Sequence, residues 1–200
     1  YARELRDKKH RRGARQFMAE GLRIPPEARE TGRLPRILFY AAANADHPLV
    51  HALSIDVEMA GGESIQTTPD ILSKLSGKDN PQAVVGVFDE FDRTLADLDR
   101  NSAGIWLVAE RLRDPGNLGT ILRTADAVGA GGLILIGECV DPFSVEAVRA
   151  SMGALFTVPV VRSGWEEFLG WLRHGPGQLV GLSLDTTHDY RGATYAAPTF

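Results

Sequence analysis

Two hundred residues, 44% of them apolar and 24% charged, suffice for one large or two small globular domains with a real core, and this balance excludes a disordered chain. No apolar run approaches the roughly 18–20 residues of a membrane-spanning helix and no charged-then-apolar leader opens the sequence, so a cytosolic place of work is expected. The net charge of −4 is unevenly spread: residues 1–36 hold eleven Lys and Arg against five Asp and Glu, whereas residues 37–200 hold eleven against twenty-one.

The basic front is concentrated in RELRDKKHRRGAR (residues 3–15), which reads as a helix. Its charge fits either a solvated face or a phosphate-contacting patch, and charge alone leaves both open. Downstream, RILFYA (36–41) alternates like a short strand, PLVHALSIDVEMAG (48–61) starts as a helix, and TPDILSKLSG (68–77) has helical spacing behind a Thr67 or Thr68 cap. AVVGVF (83–88) reads as a buried strand. The charged stretch 89–103 carries one short helix, and its end, 99–103, is the expected linker between a domain over 1–98 and another over 104–200.

Strand IWLVAE (105–110), a turn, a helix running to Val128, strand LILIG (133–137), a helix around 144–152, strand TVPVV (157–161), helix WEEFLGWL (165–172) and strand LVGLSL (179–184) then follow in alternation. Apolar strands alternating with helices make a parallel sheet covered on both faces, so the second half is an α/β domain. Ligands in such sheets lie beyond the carboxyl ends of the strands, which directs attention to the loops after 110, 137, 161 and 184. On that topology Ser183, Leu184 and Asp185 would edge a ligand pocket. Trp165 and Trp171 share a helix with Phe168 and Leu172 and are expected in a core or a dimer interface rather than as base-stacking platforms.

The single cysteine, Cys139, excludes an internal disulfide framework and a Cys-based zinc site, and it is expected as a buried thiol. Of five histidines only His47 and His51 fall at helical i, i+4 spacing, without the further ligands a metal needs, so no metal is expected.

Asp114-Pro115-Gly116-Asn117 follows a strand and opens a helix, a geometry that offers backbone N–H groups to an anion or serves as a plain turn. On that helix Leu118, Ile121, Leu122, Ala125 and Val128 form one apolar face, with Arg123 nearly opposite among Thr120, Thr124 and Ala127. Those small residues suit close approach by another chain or a ligand. In the next loop and helix, Ser144 is an N-cap candidate, while Arg149 and Ser151 lie near the helix end. There a cation is favoured by the helix dipole and is equally suited to clamp a phosphate.

DPGNLGTILRTADAVGAGGLIL and DPFSVEAVRASMGALFTVPVV together closely resemble the SpoU-type (TrmH-like) RNA ribose 2′-O-methyltransferases of the SPOUT superfamily. The first carries an Asn six residues before an Arg-Thr-Ala run, and the second the R-A-S-M-G-A stretch before a proline-bearing strand. Upstream, KKHRRGARQFMAEGLR resembles the start of the small ribosomal-protein-like α/β RNA-binding domain that many members carry in front, although Pro25-Pro26 departs from the helix expected after EGLR and unsettles any RNA contact by Arg23. The resemblance implies a trefoil-knotted parallel-sheet domain, S-adenosylmethionine as methyl donor and a homodimer that builds the active sites. It also implies ribosomal RNA ahead of transfer RNA as substrate, Arg123 as the residue that assists the 2′-hydroxyl, and Asn117 as a residue that orients Arg123 or the glutamate of the later motif. RNA affinity would come from Lys8, Lys9, Arg11, Arg12 and Arg15 in front, with Arg149 and Ser151 behind. The family's later Asn-Glu-Gly and Ser-Leu-Asn segments, which form most of the donor pocket, do not occur in the 200 residues. The chain therefore reads as cut short, the alternative being a degenerate member without cofactor, and as given is expected to bind donor poorly. The rival readings are a non-catalytic RNA-binding or assembly factor of the same fold and an ordinary Rossmann enzyme, whose G-x-G-x-x-G fingerprint is missing.

Overall fold

The computed structural model describes residues 1–22, 24–185 and 189–200, and leaves out the side chains of residues 24 and 25. After a 3-10 turn (Ala2–Arg6), the front half runs α1 (Lys8–Ala14), β1 (Gln16–Glu20), α2 (Ile24–Glu30), β2 (Ile37–Ala41), α3 (Pro48–Met59), β3 (Glu63–Thr67), α4 (Pro69–Ser76) and β4 (Val84–Asp89). The back half runs β5 (Leu107–Glu110), α5 (Pro115–Ala127), β6 (Leu133–Ile136), α6 (Val145–Ser151), α7 (Ala154–Thr157), β7 (Val160–Ser163) and α8 (Trp165–Arg173).

The first sheet has the order β1-β4-β2-β3, with β4 antiparallel to both its neighbours and β2 parallel to β3. The continuous apolar run Val84–Phe88 places β4 inside the sheet, buried on both faces. One face packs Met18, Val85 and Val87 under α4 and the amino-terminal turn. The other packs Leu38 and Val84 on α3. Two strands lie where the sequence offers little alternation: polar ESIQT is the edge strand β3, and QFMAE is β1. Pro25 and Pro26 fall in the first turn of α2, where a missing N–H breaks no helical bond, so α2 begins just before them rather than after them. Arg23 lies outside the described residues.

β5, β6 and β7 form a parallel sheet in chain order. β6, LILI, is buried throughout: Leu133 and Leu135 face α5, α6 and α7, while Ile134 and Ile136 face Phe168 and Trp171 of α8. Parallel bridges extend both edges, Arg93 to Val161 beside β7 and Thr199 to Ile105 at the start of β5. The stretch 89–103 is therefore more than a tether, since Leu95 is buried against the second sheet. Phe200 is buried between Trp106 and Trp171. Trp165 stays nearly half exposed.

LVGLSL (179–184) is not a strand. Among the described residues its backbone pairing is limited to the Gln178 bridge to Thr199 and the Val180 N–H donated to Phe200 O at 2.8 Å, and Leu182 and Leu184 lie exposed. Strand-like composition yields a strand only where a neighbour accepts its backbone bonds.

The two halves share one core. Phe17, Ala19, Ala28 and Phe88 of the first half pack with Leu118, Leu122, Phe143, Ala147 and Phe156 of the second. The Phe17 ring centroid lies 5.5 Å from that of Phe88 and 4.9 Å from that of Phe143. β1 is thus an edge strand with both faces covered, Met18 by its own domain and Phe17 and Ala19 by the other.

Candidate RNA-modifying site

α5 starts five residues after β5, beyond the strand's carboxyl end. Asp114 caps it, accepting the Asn117 N–H at 2.6 Å, and Pro115 takes the first helical position. The anion that this helix start accepts is its own side chain, and the turn is a structural cap. Leu118, Leu122 and Ala125 are buried, and Gly119 admits α6 so closely that an added Cβ would stand 2.3 Å from that of Ala150. These contacts lock the roll of α5 about its axis.

The opposite face carries Arg123 and Asn117, both exposed. At ~100° per residue they flank an arc of Gly116, Ala127, Thr120 and Thr124, about 9 Å apart along the axis. Thr120 and Thr124 turn their hydroxyls inward, each donating to the carbonyl four residues back at 3.0 Å, so the arc presents methyl groups and backbone. Among the described residues Arg123 has no carboxylate partner within ion-pair distance and donates no hydrogen bond. A permanent cation is held on a fixed helix beside a surface shallow enough for another chain to reach it.

The second segment is arranged differently from the sequence reading. Ser144 does cap α6, accepting the Ala147 N–H at 3.2 Å. Ser151, expected on RNA, is 1% exposed and donates to Val148 O at 2.7 Å, so it cannot touch a ligand. Arg149, expected as a phosphate clamp, forks onto Glu20 of β1, with Nε at 2.7 Å and Nη2 at 2.6 Å from Oε1, and Lys78 joins the same oxygen at 2.7 Å.

The front basic cluster divides in the same way. Arg11 is 3% exposed: Nη1 donates to the carbonyls of Leu5 at 3.1 Å and Arg6 at 2.8 Å, and Nη2 donates to Asp141 Oδ2 at 2.9 Å. It is therefore corrected from an RNA contact to a buried bond between the halves. Arg15 pairs with Asp92, which also takes Arg162. Arg33 donates to Phe156 O and lies 4.1 Å over the Phe91 ring; burial and neighbouring Arg93 lower its pKa. Lys8, Lys9 and Arg12 remain exposed and free of carboxylate partners among the described residues. No sequence signal separated these roles, because a basic run looks alike whether it meets water, phosphate or a neighbouring domain.

Glu90 sits at this seam. Burial raises its pKa, neighbouring Asp141 and Asp92 raise it further, and Arg162 and Arg15 oppose them. A raised folded pKa means that the folded state holds the proton more tightly, so this group's stabilising contribution is full below the ordinary glutamate range and is lost as pH rises through the shifted value. Glu90→Gln should therefore raise Tm at about pH 8 and give no gain at about pH 4. Calorimetric scans at both pH values check this; an equal effect at both would refute the assignment.

Ser183, Leu184 and Asp185 do not form a donor cradle. Leu184 is fully exposed, the Asp185 N–H turns back onto Ser183 Oγ at 3.1 Å, and no hydrogen bond or ion pair joins them to Arg123 among the described residues. As placed, these residues do not fit a nucleoside-bearing sulfonium. Cys139 is half-buried, with Sγ 3.4 Å from Ile136 O, and His47 caps α3 through Nδ1. No helix among the described residues is long and apolar enough to cross a membrane.

Comparison with known proteins decides what this architecture belongs to. Residues 104–200 match the SpoU rRNA Methylase family and residues 1–86 the MRM3-like substrate binding domain. The crystal structure of an rRNA methyltransferase from Sinorhizobium meliloti superposes with a TM-score of 0.90 at 39% identity, covering 99% of this chain and 74% of that one. The chain belongs to the SpoU rRNA methylase family. A second S. meliloti crystal structure, with AdoMet bound, superposes equally well. The SpoU relative from Streptomyces viridochromogenes, a 23S rRNA (uridine(2479)-2′-O)-methyltransferase, is 35% identical over 161 residues, which is 78% of this chain and 53% of the relative. The mitochondrial rRNA methyltransferase 3 of Homo sapiens is 29% identical over 161 residues, 78% of this chain and 37% of the relative. The chain thus spans about half or less of the length of these two curated relatives.

Proposed function

We propose that the protein transfers a methyl group from S-adenosylmethionine to a ribose 2′-hydroxyl of ribosomal RNA, as a homodimer and in the cytosol. The observation that carries the reading is the placement of Arg123: a guanidinium unpaired among the described residues, on a helix locked at the carboxyl end of β5, beside an arc of small side chains. The reading is supported by the activity of the S. viridochromogenes relative and by the AdoMet-bound S. meliloti neighbour.

When bound, the donor supplies an electrophilic methyl carbon; the residues described here would align and polarise the acceptor. A guanidinium stays protonated in proteins, so Arg123 does not act as a base. It holds the phosphate next to the target ribose through two parallel N–H bonds and stabilises the oxygen as negative charge develops on it. Asn117, across the arc, would orient that phosphate or the guanidinium. Recognition of the donor is assigned to none of Ser183, Leu184 and Asp185. The small-residue arc is the surface on which a second copy would approach.

The test uses the complete protein, donor labelled in its methyl group, and ribosomal RNA. Label should appear at one nucleotide whose 3′ phosphodiester becomes resistant to alkali, as 2′-O-methylation requires. Label on a base, or none on RNA, would overturn the reading.

The RNA grip is assigned to Lys8, Lys9 and Arg12. Neutralising all three should weaken binding and flatten the slope of log affinity against log salt by about 2–3. Titrations between low and physiological salt read this directly, and an unchanged slope counts against the assignment.

A further inference from the structure

We infer that Arg11 and Asp141 are positioning residues for the reaction: their buried pair fixes the RNA-gripping helix relative to α5, which carries Asn117 and Arg123. The inference rests on the methyl-transfer reading above.

Three observations converge on the pair. First, Arg11 and Asp141 are 130 residues apart in sequence and belong to different halves, yet their side chains are only 4% and 8% exposed and meet at 2.9 Å. Second, each is bound into its own half by other bonds. Arg11 also holds the last turn before α1 through Leu5 O and Arg6 O, and the other Asp141 oxygen accepts the Phe143 N–H at 3.0 Å. Third, the Asp141 loop is tied to the site: Val140 N–H donates to Leu112 O at 2.7 Å, two residues before the Asp114 cap of α5. An unbroken path of hydrogen bonds and backbone thus runs from α1 to the helix of Arg123.

The shared apolar core already holds the halves together, so the ion pair is not required merely for contact. Apolar packing is non-directional and tolerates small slides, whereas a fork with fixed donor angles and a buried counter-charge does not. A long RNA held by Lys8, Lys9 and Arg12 at one end and Arg123 at the other is a two-point ligand. Its second contact forms at an effective concentration set by how well the spacing is kept. Loosening the spacing should act on RNA affinity in the reacting complex and leave the chemical step of correctly seated molecules alone.

The test compares wild type with Arg11→Met/Asp141→Leu, which replaces the pair by apolar side chains without leaving a lone charge. Arg11→Lys serves as the conservative rescue. In the complete protein, KM for an rRNA fragment should rise about tenfold in the double variant, with kcat within about twofold, and Arg11→Lys should recover part of the loss. In parallel, spin labels at Lys9→Cys and Arg173→Cys on a Cys139→Ala background report the distance between the halves; the double variant should broaden or shift a narrow wild-type distribution. A distribution neither broadened nor shifted from wild type, or a fall in kcat at unchanged KM, overturns the inference. Absence of methyl transfer by wild type would refute the functional reading instead, and the distance measurement would still decide the role of the pair.

Discussion

Arg123→Lys in the complete protein should slow methyl transfer about 100-fold, a loss of about 2.7 kcal/mol of transition-state stabilisation. The substitution keeps the positive charge and a long flexible stem. It removes the planar fork, which can meet two phosphate oxygens at once and hold them at a fixed angle to the helix. If Arg123 contributed only to the electrostatic potential of the surface, lysine would serve almost as well. Single-turnover transfer at saturating RNA and donor separates these cases, because it removes binding from the measured rate. Stability offers an internal control. Arg123 is exposed and bonds to no other described residue, so its replacement should change unfolding free energy by no more than about 0.5 kcal/mol. A near-normal rate in a normally stable variant would remove the bidentate grip from the mechanism.

What the sequence revealed follows from which signals are local. Caps and apolar periodicity are written within a few residues, so the Ser144 cap, a threonine cap for α4 to within one residue, the strands β4 and β6, and the apolar face of α5 could be read directly. That Asn117 and Arg123 share one helix is equally local, whereas their roles rest on the family resemblance and stand as proposals. β1 was hidden because Phe17, Met18 and Ala19 are all buried, which erases alternation: one face belongs to its own sheet and the other to the second domain. β3 was hidden for the opposite reason, being a polar edge strand with little to bury. Residues 179–184 misled because apolar composition was read as pairing. The partners of Arg11, Arg33 and Arg149 are far away in the chain, at Asp141, Phe156 and Glu20, and nothing within a helical turn of any of them distinguishes a domain seam from an RNA grip.

Arg11→Met alone should cost the protein about 3–5 kcal/mol of folding stability, far more than an ordinary surface arginine. The reason is the charge left behind. Asp141 keeps one bond, from the Phe143 N–H, but its carboxylate stays almost wholly out of water and has no other ion-pair partner among the described residues. The carbonyls of Leu5 and Arg6 lose a donor at the same time. Substituting both partners, as in Arg11→Met/Asp141→Leu, removes the stranded charge and should recover most of the loss, since an apolar pair of similar volume is often as stable as a buried ion pair. Recovery should be incomplete, because the Phe143 N–H and the two carbonyls still lack partners. Urea unfolding of the two single variants and the double, read as a cycle, gives the coupling directly. A loss below about 1 kcal/mol for Arg11→Met would mean that water reaches Asp141 and that the seam opens readily. A large single loss with a small double loss would instead establish a contact kept for orientation at little net gain in stability, as a positioning role requires.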